Sequence, residues 1–246
     1  MSRTNGSGQV PISKETLNIQ PLQIAIDGPV AAGKGDIASR LAQELGLLYV
    51  YTGAMYRALA LACLRQGISL KDEAKVISLL GTTGIDLLPS GPNDPHPYKV
   101  ILNQKDVTEQ IFRQEVAMGA SDVSTIARVR VWMVSRQQEI AQGKSVVVEG
   151  RDIGLRVLPK AQLKIYLTAA VEERAKRRWL QFKERGIDQN FAEVLADTQA
   201  RDLQDTTRTV DPLRKLPDAW ELDTTDLNQA EVVAEIKQEL QRRHLV

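Results

Sequence analysis

The chain has 246 residues, 43% of them apolar, enough for one large domain or two small ones with ample core. Lys and Arg total 32 against 31 Asp and Glu, a net charge of +1, and so even a balance argues against a protein built mainly to grip nucleic acid. One cysteine, Cys63, and two distant histidines, His96 and His244, exclude a disulfide frame and zinc spacing; with no long apolar run or signal core, a cytoplasmic protein without a membrane partner is expected.

Residues 1–20, rich in Ser, Thr, Asn, Gly and Gln, read as a disordered leader; Arg3 and Lys14 against the single acid Glu15 also allow a transit peptide. Gln23–Asp27 reads as a strand, and it runs into Gly28-Pro29-Val30-Ala31-Ala32-Gly33-Lys34-Gly35. That is the layout of a phosphate-binding loop, in which backbone N–H groups wrap phosphates and Lys34 meets their charge. At about 7% each of Gly and Lys, a chain this long holds the pattern by chance roughly 0.07 times. A Gly-rich turn between strand and helix is the other reading. Lys34–Leu45 reads as a helix with Ile37, Ala38, Leu41, Ala42 and Leu45 on one face, its positive end aimed at the same phosphates.

Leu47–Tyr51 reads as a second strand and Ala54–Arg65 as a helix with Cys63 on its buried face. Ile85–Leu88 and Tyr98–Leu102 pair as antiparallel strands across a loop holding Pro89, Pro92, Pro95 and Pro97, and the turn Asn103–Asp106 follows; residues 84–120 thus read as a small β-rich insertion. Helical patterns at Val129–Ala141, Val171–Arg185, Phe191–Ala200 and Ala230–Arg242 separate apolar runs at Ser145–Glu149, Leu163–Leu167 and Ala219–Leu222. Runs apolar on both faces, alternating with helices, predict an α/β three-layer fold: a five-stranded parallel sheet flanked by helices, with core segments 21–83 and 121–246 in one domain over 21–246.

Five groups of residues carry a family resemblance: Ile26-Asp27-Gly28-Pro29 with Gly33-Lys34-Gly35; Tyr51-Thr52-Gly53-Ala54-Met55-Tyr56-Arg57; Ser121 with Arg128-Val129-Arg130; Glu149-Gly150-Arg151-Asp152-Ile153-Gly154; and Arg201-Asp202 with Asp205 and Arg208. In this order the chain resembles the bacterial-type cytidylate kinases across about residues 22–243. The resemblance implies a P-loop nucleoside-monophosphate kinase fold with a monophosphate-binding insertion and a mobile lid near residues 172–190. It implies ATP-dependent phosphorylation of CMP and dCMP with Mg²⁺, by a monomer whose partners are small molecules. Residues Gly28 to Asp36 (Gly28, Pro29, Val30, Ala31, Ala32, Gly33, Lys34, Gly35, Asp36) would hold ATP. Arg57, Arg151 and Arg208 would hold the acceptor phosphate and, with Lys34, act in catalysis. Ser121, Arg130 and Asp152 would read cytosine; Thr52, Arg201 and Asp205 would meet the ribose.

The residue types suit those tasks. Phosphoryl transfer between polyanions needs positioning and positive charge, and guanidinium forks bind phosphate oxygens in pairs. Each arginine could instead be a surface ion pair, Asp152 a helix-start carboxylate, and Tyr56 simple packing rather than a contact with the acceptor. Arg174, Arg177 and Arg178, at i, i+3 and i+4 with Arg185 beyond, share a helix face that could close over the triphosphate; a solvated helix balanced by Glu172, Glu173 and Glu184 is the alternative. Glu149 ends an apolar strand where an acid would hold Mg²⁺, directly or through water. Three positions depart from the family: Asp36 where Thr or Ser is usual, Ala31 where a loop glycine is common, and Leu155 in place of Thr. A carboxylate beside phosphates is repelled unless magnesium or a lysine intervenes, so a nucleotide-binding module with weakened catalysis stays open, as does a kinase for UMP or another small acceptor.

Overall fold

The structure, a computed structural model, describes residues 20–91, 94–184 and 186–246. The leader expected at 1–20 therefore falls outside it save for its last residue, as do Pro92 of the insertion loop and Arg185 of the lid helix. Strand β1 (Gln23–Asp27) leads through the phosphate loop into α1 (Lys34–Leu45), and β2 (Leu48–Tyr51) runs directly into α2 (Thr52–Arg65), followed by α3 (Glu73–Leu80). A hairpin of β3 (Ile85–Pro89) and β4 (Tyr98–Leu102) with short β5 (Lys105–Asp106) comes next, then a 3-10 turn at Gln110–Phe112, α4 (Gln114–Val123) and α5 (Ala127–Ala141). The chain ends with β6 (Val146–Gly150), one π-type turn at Ile153–Val157, β7 (Leu163–Thr168), α6 (Val171–Glu184), α7 (Phe191–Thr207), β8 (Trp220–Asp223) and α8 (Gln229–Arg242).

The main sheet has the order β2-β6-β1-β7-β8, all parallel, and β3-β4-β5 form a separate antiparallel sheet. Ile24–Ile26 and Val146–Val148 are wholly buried, as a sheet covered on both faces requires. On α1 the buried stripe is Ile37, Ala38, Leu41 and Ala42; Ile37 and Leu41 contribute roughly 1.5–3 kcal/mol each by burial. From the carboxyl end of β1 the chain turns toward β2 on one side; from β7 it turns toward β8 on the other. Such a reversal opens a crevice at the carboxyl ends of the strands, where ligands of open α/β sheets bind. Asp27 and Gly150 lie side by side in the register at that edge.

The structure departs from the sequence expectations in three places. Helix α7 continues to Thr207 instead of stopping at Ala200, because its second half carries a charged stripe toward the crevice rather than an apolar one toward the core. Helix α3 is a short segment capped by Asp72, whose carboxylate accepts the Lys75 N–H at 3.2 Å. Helix α4 packs on α2 through small residues: a Cβ on Gly119 would lie 3.3 Å from the Ala60 Cβ and 2.5 Å from Leu70 Cδ1. The insertion boundary expected at residue 120 thus falls within α4. Cys63 is buried on α2, and burial pushes its thiol up to about 11, which makes it a packing residue rather than a nucleophile.

Candidate active site

The loop after β1 is shaped by backbone contacts. A Cβ at Gly28 would lie 2.0 Å from the Leu167 carbonyl oxygen, so β7 leaves room only for glycine there. Gly33 has φ 84°, and Ala31 has φ 59°, a left-handed conformation that side chains disfavour. Helix α1 starts without a side-chain cap, so its first N–H groups remain free to meet an anion. Lys34 is buried, its Nζ donating to the Pro29 carbonyl at 2.6 Å. Burial and then Arg151 push its ammonium down, against the pull of Glu149 and Asp205.

Glu149 faces this lysine from the end of β6. It is 4% exposed, and burial pushes its carboxyl up against the opposing charges of Lys34, Arg151 and Arg57. Among the described residues no group hydrogen-bonds its carboxylate. Gly35 borders it: a Cβ there would make ordinary contact with Glu149 Oε1 at 3.9 Å and with the Tyr49 hydroxyl at 3.5 Å. Asp36 leans outward, its Oδ2 accepting from Gln229 Nε2 of α8 at 3.2 Å.

Arg151 follows β6 and donates from Nε to Asp205 Oδ2 of α7 at 2.6 Å. Burial alone would raise the Asp205 carboxyl, yet Arg151, backed by Arg208 and Lys34, holds it below the ordinary range. Arg57, one turn into α2, sits between the rings of Tyr51 and Phe112, at 6.0 and 5.6 Å. Phe112 is stacked in turn on His96 at 4.8 Å. Arg201, one turn before Asp205, is depressed by burial and by Arg57 and Arg151, with Asp197 opposing. Arg178 of α6 is pushed down to about 10 by burial, then by Arg201 and Arg57, and its buried Nε has no partner. Arg178 and Arg201 are thus held down by neighbouring guanidiniums, and Arg57, Arg151, Arg178 and Arg201 lie close together.

A second cluster lies beside it. Arg130, 2% exposed, donates from Nη2 to Asp152 Oδ2 at 2.6 Å and from Nη1 to the Ser124 carbonyl at 3.4 Å, and its Nε lies 3.9 Å from Asp211. Arg208 is 3.6 Å from Asp152 and 3.8 Å from Asp205, and it donates to the Asp211 carbonyl. Tyr56 joins this group, its phenol pushed up to about 12 by burial with Arg130 opposing. Ser121 is half-buried on α4, and its carbonyl accepts from the Ser124 hydroxyl at 2.7 Å. Thr52, buried at the start of α2, donates to the Glu149 carbonyl at 2.8 Å and locks the helix to the strand end. Leu155 is half-buried in the turn after Asp152.

The lid arginines do not act as one face. Arg174 is buried, donating to the carbonyls of Ala169 at 2.9 Å and Val30 at 3.0 Å and pairing with Asp202 at 2.7 Å. Arg177 donates to the Thr224 hydroxyl at 3.1 Å and to the Thr224 carbonyl at 2.6 Å. Both guanidiniums are thus bound to the framework by neighbours their helical spacing does not reveal, and only Arg178 is left among the cleft arginines.

Two site residues escaped the sequence reading. Asp211, φ 49°, closes the second cluster, where its carboxylate also accepts from Arg156 Nε at 2.5 Å; an aspartate before Pro212 was the only signal. Asp27, 7% exposed, accepts the N–H of Ile153 at 2.8 Å and of Gly154 at 2.9 Å. Burial pushes its carboxyl up to about 6 in spite of those bonds. Asp152, in contrast, makes no cap bond to the turn it begins, which removes the helix-start reading of that carboxylate.

A family model described as cytidylate kinase matches residues 24–242. The cytidylate kinase of Caldicellulosiruptor bescii is 45% identical over 219 residues, 89% of this chain and 95% of its own. That of Bacillus velezensis is 46% identical over 215 residues, 87% of this chain and 94% of its own, and that of Bacillus subtilis 42% over 222 residues, 90% and 97%. A match that runs from the first strand of the sheet into the last helix, through both arginine clusters, shows that the chain belongs to the cytidylate kinase family.

Proposed function

We propose that this chain transfers the terminal phosphoryl group of ATP directly to CMP and dCMP, giving CDP and dCDP. The observation that carries the reading is the convergence of Arg57, Arg151, Arg178 and Arg201 beside the buried Lys34 and its loop. Arg178 and Arg201, pushed down by burial and by the guanidiniums beside them, are suited to an anion, and two facing phosphate groups supply it. The donor's phosphates lie on the amides of Gly28 to Asp36 with Lys34; Arg57, Arg151 and Arg208 draw in the acceptor phosphate. Asp152 takes the exocyclic amine of cytosine while Arg130 and Ser121 meet the ring acceptors, a pattern that uracil cannot satisfy. Arg201 and Asp205 face the ribose. Thr52, whose proton is already given to Glu149, offers the sugar only a lone pair.

Among the described residues no cluster of three or more His, Cys, Asp or Glu forms a metal cage. The unpartnered, buried Glu149 carboxylate fits a Mg²⁺ ion carried in by the nucleotide, which takes one or two carboxylates plus phosphates. Bound there, Mg²⁺ would neutralise charge between the β- and γ-phosphates. Asp36 supports retained catalysis, since its bond to Gln229 turns it away from the loop. Transfer is in line without a phosphoenzyme, and no general base is assigned: His96 is stacked on Phe112 and bonded to Glu109 at 3.0 Å. The insertion at 84–120 closes on the acceptor and the 172–190 segment, through Arg178, on the donor. The enzyme acts as a cytoplasmic monomer, and no helix among the described residues is long and apolar enough to cross a membrane. The test is ADP release with Mg-ATP and a panel of CMP, dCMP, UMP and AMP. CMP and dCMP should lead; UMP ahead of CMP overturns the base assignment, and CMP binding without turnover overturns the reaction.

A further inference from the structure

Asp27 is a buried carboxylate with no part in the chemistry above. It sits at the tip of the central strand, opposite Gly150 on β6 and Tyr166 on β7, and the next residue is pinned, since Gly28 has no room for a side chain against Leu167. Its two oxygens accept the N–H groups of Ile153 and Gly154, across 126 and 127 residues of chain. These are the first two N–H groups of the Ile153–Val157 turn, and the second, Gly154, is one that an aspartate at the position of Asp152 would ordinarily cap with its own side chain. Asp152 makes no such bond; its carboxylate is turned to Arg130 at 2.6 Å and Arg208 at 3.6 Å.

We propose that Asp27 caps this turn from the neighbouring strand and so frees Asp152 for the acceptor base, which makes Asp27 a positioning residue for cytosine recognition. The inference rests on the reading of Asp152 and Arg151 as acceptor contacts. Two consequences come from the same two hydrogen bonds. A local cap would commit an Asp152 oxygen to its own backbone, whereas here Oδ2 meets Arg130 and Oδ1 faces Arg208. The cap supplied in trans also joins the root of the phosphate loop to the segment carrying Arg151, so donor and acceptor sites share one rigid anchor. Gly154 fits the arrangement closely: a Cβ there would lie 3.1 Å from Lys164 Cδ, 3.2 Å from Leu216 Cδ1 and 3.4 Å from Asp27 Oδ2.

The test is Asp27→Asn beside Arg151→Ala, each with KM for CMP, UMP and ATP and a thermal melt. Asparagine keeps the volume and one acceptor, but its NH₂ group faces an N–H donor, so one bond is lost. KM for CMP should rise about ten-fold or more, the loss of one charge-assisted hydrogen bond. The CMP-to-UMP preference should fall by a similar factor, while KM for ATP stays within about two-fold. A role limited to holding the fold would lower the melting temperature and kcat with KM for CMP and ATP unchanged or moving together; that result overturns the proposal. If Asp27→Asn does not fold, Asp27→Ser takes its place: it is smaller, keeps one acceptor and brings no opposed NH₂ group, so the same CMP-selective loss is expected, and unaltered CMP kinetics overturns the proposal. Should Arg151→Ala weaken CMP while Asp27→Asn does not, the positioning role falls and the acceptor site stands. If neither weakens CMP, both fall.

Discussion

Replacing Asp152 by alanine should damage stability and specificity together, because one carboxylate serves both. Its side chain is 10% exposed and that of Arg130 is 3% exposed, so their 2.6 Å pair lies almost out of water. Without Asp152, Arg130 keeps only the Ser124 carbonyl at 3.4 Å and Asp211 at 3.9 Å, with its Nε already unpartnered. Arg208 loses a counter-charge 3.6 Å away. Breaking a buried pair typically costs about 3–5 kcal/mol. The nearby Asp211 carboxylate places this case near the lower end, about 3 kcal/mol, or roughly 6–12 °C in the melting temperature of a domain this size. The loss of an acceptor for the cytosine amine should lower kcat/KM for CMP by roughly 10–150-fold, the range of a charge-assisted hydrogen bond, with much less effect on UMP. Circular-dichroism melts and the acceptor panel read the two effects separately. A variant that melts with the parent and keeps its CMP-to-UMP ratio would refute the reasoning on both counts.

Lys34→Ala should lose about 10²-fold or more in kcat, the scale of one preorganised charge at the reacting centre, yet remain folded, because only one carbonyl bond goes with it; near-normal turnover would remove the loop as donor site. Ala31→Gly relieves a left-handed alanine at φ 59°. That strain is worth about 1–2 kcal/mol, less about 0.4–1 for the looser unfolded chain, so the melting temperature should rise by up to roughly 6 °C, and a fall would contradict it. The folded-state carboxyl of Asp27 is raised from 3.8 to about 6, so its stabilising share is whole below pH 3.8 and is lost as pH climbs through 6. At 1.36 kcal/mol per unit this is about 3 kcal/mol in all, of which about 2.4 falls between pH 4 and pH 7; urea unfolding should show Asp27→Asn gaining that much on the parent over this range, and a difference independent of pH would count against a buried carboxylate.

The parts of the molecule that could be read from sequence are those whose neighbours are interchangeable. Strands β1, β6 and β7 are buried on both faces by whatever helices cover them, so an apolar run identifies them. The stripe on α1 needs only a sheet beneath it. Helix α4 went unseen because its contact with α2 depends on the absence of a side chain at Gly119. The second half of α7 was lost for a related reason: Arg201, Asp205 and Arg208 face a crevice, and the apolar period that marks a helix stops where the active face begins. Motif order named the candidate site residues, but their partnerships are three-dimensional. Arg174, Arg177 and Arg178 look alike on a helical wheel, yet two are bound to the Val30 and Thr224 carbonyls by loops far along the chain. Asp152 likewise reads as a cap until Asp27 is brought beside its turn.

Apart from Arg201, which has neither an ion pair nor an aromatic face among the described residues, the cleft arginines fall into two kinds, and the difference bears on what each can do. Arg130, Arg151 and Arg208 lie against Asp152, Asp205 and Asp211, and Arg174 against Asp202. A carboxylate partner fixes a guanidinium's direction but spends most of its field before any ligand arrives. Arg57 and Arg178 make no ion pair among the described residues; aromatic faces hold them instead, Tyr51 and Phe112 for the first and Phe182, at 5.2 Å, for the second. A ring positions a cation while leaving its full positive charge outward. The paired set suits tasks that need fixed shape, reading a base and seating a phosphate. The ring-held pair come from α2 and α6, and their unspent charge is what a phosphoryl group needs as it passes between two nucleotides. A guanidinium already matched by a carboxylate has less to add as charge moves in the transition state, so Arg57→Ala and Arg178→Ala should each lower kcat more than they raise KM for CMP, and a loss confined to KM would contradict this division.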